Sequence, residues 1–153
     1  MQTAAGLRQA SRDGTLSPKM QSPVDESTWP VVTVRWTGTL PDHVLTEFLG
    51  KLDTWLEREQ PFGLLVDSRG AGGMSPEQRR RVVKHMKARA AVTAQLLVQA
   101  VVLDSQLQRT LFYGINLLFP NPFPSKVFAD VEPARQWLLA ELRGRGVQLS
   151  RDA

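Results

Sequence analysis

Residues Phe62 to Gln78 read Phe-Gly-Leu-Leu-Val-Asp-Ser-Arg-Gly-Ala-Gly-Gly-Met-Ser-Pro-Glu-Gln. The run Leu64-Leu65-Val66 has no polar alternation and ends in Asp67, the pattern of a strand buried on both faces of a sheet. It predicts a central strand. Glycines at 70, 72 and 73 follow, and Ser75-Pro76-Glu77-Gln78 then carries the start signals of a helix: Ser as N-cap, Pro at the first helical position and Gln three residues after the Ser. Strand end, glycine loop and helix N-terminus therefore meet at one point. In α/β sheets ligands sit off the carboxyl ends of strands, so a binding site is sought here.

Working outward, Pro30 to Thr37 alternates Val32, Val34 and Trp36 with Thr33, Arg35 and Thr37, the period-2 pattern of a half-buried strand nearer a sheet edge. Gly38 and Pro41 lead into a helix running to about Glu59, with Val44, Leu45, Phe48, Leu52, Trp55 and Leu56 on one stripe and Pro61 beyond its end. After the glycine loop a basic helix runs from Pro76 to about Ala94. Leu96 to Leu103 is a second apolar, β-branched run. A third helix spans Gln106 to Phe119. The loop Pro120 to Pro124, a strand Lys126 to Ala129 and a helix Glu132 to Arg143 complete the order, with Asp130 and Gly144 as caps. Alternating strands and helices mean an α/β fold with a largely parallel sheet. Residues 1–23, polar and broken by glycine and proline, read as a flexible N-terminal tail, 24–144 as the domain and 145–153 as a C-terminal tail.

At 153 residues the chain is one domain by length, and 42% hydrophobic with 22% charged residues matches globular composition. Cysteine is absent, which excludes disulfides, thiolate metal sites and a cysteine nucleophile. No apolar run reaches the roughly 18 residues of a membrane span, and the N-terminus lacks a signal peptide's apolar segment, so a cytoplasmic location is expected. A net charge of +4 favours anionic neighbours.

The order of elements and several phrases resemble the SpoIIAA-like proteins, relatives of the STAS domain. The phrases are Phe62 to Gly70, the basic helix after it, an apolar strand before a helix with Arg109 near its start, and Val127-Phe128-Ala129-Asp130 leading to Ala134 and Trp137-Leu138. The resemblance covers roughly Val24 to Leu142. It implies a small mixed sheet of four or five strands with about four helices, no cofactor, and a regulatory or binding function. STAS antagonists carry a phosphorylated serine in an Asp-Ser-Ser-Gly-like motif at the start of the helix after the central strand. Met74-Ser75-Pro76-Glu77 stands there in this chain and departs from that motif, so no such phospho-switch is expected at Ser75.

Three carboxylates, Asp67, Asp104 and Asp130, fall at strand ends and could gather around Mg²⁺, but capping suits Asp104 and Asp130 better, and Asp67 can pair with Arg69. The spacing of Gly70, Gly72 and Gly73 fits neither dinucleotide nor P-loop patterns, which favours a turn requiring positive φ. His43 and His85 read as surface histidines. With no nucleophile–base arrangement in view, the reading is a non-enzyme without catalytic residues, metal or cofactor.

Two surfaces remain. The basic helix carries Arg79, Arg80, Arg81, Lys84, Lys87 and Arg89 outward while Val82, Val83, Met86 and Ala90 pack on the sheet, which reads first as a solvated face and beyond that suits an acidic partner or an anionic membrane surface. Nucleic acid ranks below these because no aromatic stacking pattern accompanies the charge. On the third helix Leu107, Leu111, Phe112, Ile115, Leu118 and Phe119 fill one arc, and Tyr113 and Leu117 fall on the other side. With Phe123 they form a candidate exposed patch for a protein partner or a homodimer. The candidate binding residues are thus Asp67, Arg69, Gly72, Gly73, Ser75, Arg80, Lys84, Lys87, Tyr113, Leu117 and Phe123. The alternative function is binding of a lipophilic small molecule or an anionic membrane surface.

Overall fold

The computed structural model of the chain describes residues 23–149, so all of the N-terminal stretch except Pro23 lies outside the described residues. Five strands form one sheet in the order of the chain: β1 (Val24–Asp25), β2 (Val31–Gly38), β3 (Phe62–Ala71), β4 (Leu97–Val102) and β5 (Ser125–Phe128). β1 runs antiparallel to β2, and every other pairing is parallel. The expected mixed, largely parallel sheet is therefore present, with β3 at its centre. β1 carries too few residues to show a period, which is why the pattern did not reveal it.

Alternation along the strands divides the core in two. Val31 of β2, Leu65 of β3 and Val98, Ala100 and Val102 of β4 face α5 (Val131–Gly144), which buries Ala134, Leu138, Leu139 and Leu142 against them. Gly63 lies under that helix, where a Cβ would come within 3.3 Å of Leu138. On the opposite face Val32, Val34, Phe62, Leu64 and Leu97 pack against Leu52, Trp55 and Leu56 of α1 (Asp42–Leu56). Burying a Leu- or Phe-sized side chain contributes about 1.5–3 kcal/mol, so these two layers supply most of the drive to fold. The segment after Gly144 stays on the domain as far as it is described: Gly146, not Gly144, takes a positive φ of 82°, and Val147 and Leu149 pack on the α5 side of the core.

The basic helix departs from expectation. It is two helices, α2 (Pro76–Ala88) and α3 (Ala90–Leu96), broken at Arg89, which raises the total to five helices among the described residues. Val83 does not pack on the sheet and is 53% exposed. α2 instead lies along α1 through a polar seam. Buried Gln78 donates from Nε2 to Leu40 O at 2.8 Å and Asp42 Oδ1 at 2.9 Å, and Arg81 donates to Thr46 Oγ1 at 2.7 Å. Farther along, His85 Nε2 lies 2.9 Å from Asp53 Oδ1, and Arg89 grips both oxygens of Asp53. Burial opposes the charge of Asp53, but the bonds from Arg89 and His85 outweigh it and hold its carboxyl below the usual range. His85 is thus part of a helix–helix contact and not a plain surface histidine.

α4 (Gln106–Leu118) stands apart. None of its residues belongs to either core cluster, and none is buried.

Candidate functional site

At the carboxyl end of β3 the chain places an acid between two cations. Asp67, 3% exposed, accepts from Arg69 Nε at 2.9 Å and Arg69 Nη2 at 2.8 Å, and Arg35 Nε of the neighbouring strand stands 3.4 Å from its Oδ2. The Arg69 bond, with further attraction from Arg35, holds the Asp67 carboxyl below the usual carboxylate range against the effect of its burial. Asp104 and Asp130 add weaker attraction to Arg69. Of the three strand-end carboxylates only Asp67 contacts a guanidinium, and Asp104 and Asp130 act on Arg69 at longer range. Among the described residues no group of three His, Cys, Asp or Glu side chains is arranged to hold a metal. The capping expectation holds in position only at Asp130, which precedes α5 without a side-chain cap bond. At α4 Ser105, not Asp104, is the cap, its Oγ accepting from Gln108 N at 3.3 Å.

The glycine loop is tied to the end of β2. Gly72 N donates to Gly38 O at 2.9 Å, and a Cβ at Gly72 would stand 3.2 Å from that oxygen. Gly73 takes φ 91°. The two glycines thus answer different needs, close backbone approach and a left-handed turn. Beyond them Ser75 N donates to Gln78 Oε1 at 2.9 Å and Gln78 N to Ser75 Oγ at 3.1 Å, completing the capping box read from the sequence. The amides of Gly72, Ser75 and Gln78 are therefore committed to the fold and do not form a phosphate cradle.

Between this loop, the turn after β2 and the start of α4 runs an open groove of about 1100 Å³, bordered by Trp36, Val44, Ser68, Met74, Leu103 and Gln108. The proposed residues do not gather into one site. Asp67 and Arg69 form the ion pair on the α5 face, while Gly72 and Gly73 border the groove with Ser75 just beyond. Arg80, Lys84 and Lys87 are exposed on α2, and Tyr113 and Leu117 are exposed on α4. Phe123 corrects the patch: it is 6% exposed and belongs to the core with Phe62 and Leu97, so it lies on no outer surface.

α4 also corrects the arc assignment. Its half-buried side chains are Arg109, Phe112 and Asn116, and Arg109 Nη1 donates to Leu103 O at 2.7 Å. Leu107, Leu111, Ile115 and Leu118 of the apolar arc are all more than half exposed, as are Tyr113 and Leu117 on the other side. The apolar arc is thus not the covered one: only Phe112 of it joins Arg109 and Asn116 on the inward side. Gln78, Asp53 and Arg89 were also missed as organising residues. The spacing of Gln78, Arg81, His85 and Arg89 along α2 and its C-terminal cap was the available signal, and Asp53 on α1 had none.

A short open sheet with one antiparallel edge, both faces covered by helices and a groove at the strand ends, defines a STAS-type α/β domain. The SpoIIAA-like family model matches residues 31–139, and the chain belongs to that family. A crystal structure of an uncharacterized DUF3478-family protein with a SpoIIAA-like fold, from Shewanella loihica PV-4, is similar with a TM-score of 0.58 at 18% identity, covering 71% of this chain and 83% of that one. It supports the fold. No curated protein matches the chain.

Proposed function

We propose that the protein is a non-enzymatic interaction module of the SpoIIAA-like type that works by docking the apolar outer surface of α4 against another protein chain. The observation that carries this is the exposure of seven large hydrophobic side chains between Leu107 and Phe119, each more than half accessible. A contiguous apolar surface of that kind on a water-soluble fold marks an interaction site. Asp67, gripped at two points by Arg69, is no free carboxylate, which supports a non-catalytic reading. Sedimentation of the full chain across a concentration series tests the reading: association that Leu118→Glu abolishes supports it. A wild type that stays monomeric, with α4 side chains equally accessible to solvent in the presence of cell extract, would defeat it.

A second reading rests on the groove beside α4 and on the exposed Arg80, Lys84 and Lys87 of α2: binding of a lipophilic molecule or an anionic membrane surface. No helix among the described residues is long and apolar enough to cross a membrane. Flotation with neutral and with anionic vesicles separates this reading from the first.

A further inference from the structure

At about 100° per residue, Ser105, Arg109, Phe112 and Asn116 fall in one arc of α4, the arc turned toward the domain. Directly opposite stands Gly114. Leu107, Leu111 and Leu118 flank it on one side, Thr110 and Leu117 on the other. A Cβ built at Gly114 meets nothing within 4 Å, so a notch in the middle of the apolar surface faces open space. The helix carries a single charged residue, Arg109, and its guanidinium is turned to Leu103 O. Nothing ionic therefore opposes approach along the outer face.

The spacing of these residues is self-complementary. Leu107 precedes Leu111 by four residues and Leu118 follows Gly114 by four, so a twofold axis that sets Leu111 of one copy on Gly114 of the other also sets Leu107 on Leu118. We propose that α4 pairs antiparallel with α4 of a second copy about that axis, the Leu111 side chain of each filling the notch at Gly114 of its partner. This rests on the docking reading above and names the occupant and its register. The four leucines that flank the notch, Leu107, Leu111, Leu117 and Leu118, at roughly 100 Å² each, offer about 400 Å² per copy, half of the roughly 800 Å² a side of a standard contact, which sets the pairing at the weak end of specific contacts.

The absence of cysteine makes the register directly testable in the full chain. Leu107→Cys and Leu118→Cys proteins are oxidised separately and as an equimolar mixture. The antiparallel register predicts a covalent dimer in the mixture alone. Within either single variant the equivalent positions stand about 16 Å apart along the paired helices, beyond the roughly 7 Å Cα separation a disulfide can bridge. Gly114→Leu provides the second arm, since the isolated domain has room for the side chain. At concentrations where the wild type is monomeric it should keep the circular dichroism and melt at or slightly above the wild-type temperature, while self-association weakens about tenfold or more. Disulfides within a single variant, or undiminished association of Gly114→Leu, overturn this register while leaving docking through α4 intact. A wild type that does not self-associate overturns the pairing, and association that Leu118→Glu does not affect overturns both readings.

Discussion

Asp67 and Arg69, two residues apart on β3, are joined at two points, Nε to Oδ1 at 2.9 Å and Nη2 to Oδ2 at 2.8 Å. The acid is buried and the base reaches solvent, so the pair anchors the end of the central strand rather than offering a free carboxylate. Asp67→Ala removes the acceptor and should cost about 1–2 kcal/mol, measured by urea unfolding, the solvent around Arg69 reducing the loss. The pH dependence follows from the lowered pKa of Asp67. Its contribution is complete above the unfolded carboxyl value of about 3.9 and is lost as pH falls through the folded value, so Asp67→Asn should flatten the acid side of the stability profile.

The polar seam between α1 and α2 concentrates at Gln78, which bonds Leu40 O, Asp42 Oδ1 and Ser75 N at once. Gln78→Leu keeps much of the volume and removes all three contacts, which the freed groups of Asp42 and Ser75, both exposed, replace only with water. A loss of about 1–3 kcal/mol is expected, with hydrogen exchange rising through α2 before the sheet. Uniform exchange across the domain would show instead that α2 opens only with the whole fold.

Neighbouring glycines should respond to alanine for different reasons. At Gly72 the new Cβ would press on Gly38 O, 3.2 Å away, and the main-chain bond between the loops would have to lengthen. At Gly73 the space is open but φ is 91°. Each change should destabilise by about 1–2 kcal/mol. The double variant should exceed either, because the clash and the strain are separate costs. Thermal unfolding of the three proteins checks this.

Phe123 and Leu117 separate core from surface. Phe123→Ala empties a site in the α1-side core and should cost about 3–5 kcal/mol. Leu117, 67% exposed, should accept Glu with a change within about 0.5 kcal/mol in the monomer. Calorimetry of the two variants at low concentration makes the comparison, and a large loss at Leu117 would place that side chain inside the domain.

The sequence by itself determined the central strand, the order of the elements and the capping box at Ser75, because each is written in neighbouring residues: an unbroken apolar run, changes of period, and an N-cap followed by Pro and Gln. It also paired Asp67 with Arg69, which lie two positions apart. Only the tertiary structure decided which face of α4 turns inward, that Phe123 is core, and that α2 rests on α1 through Gln78, Arg81, His85 and Arg89. Those outcomes depend on contacts between residues far apart in the chain. Periodicity reports that a helix has an apolar face but not whether a neighbour covers it, and on α4 the arc turned inward carries Arg109, Phe112 and Asn116, with Arg109 bonded to Leu103 O.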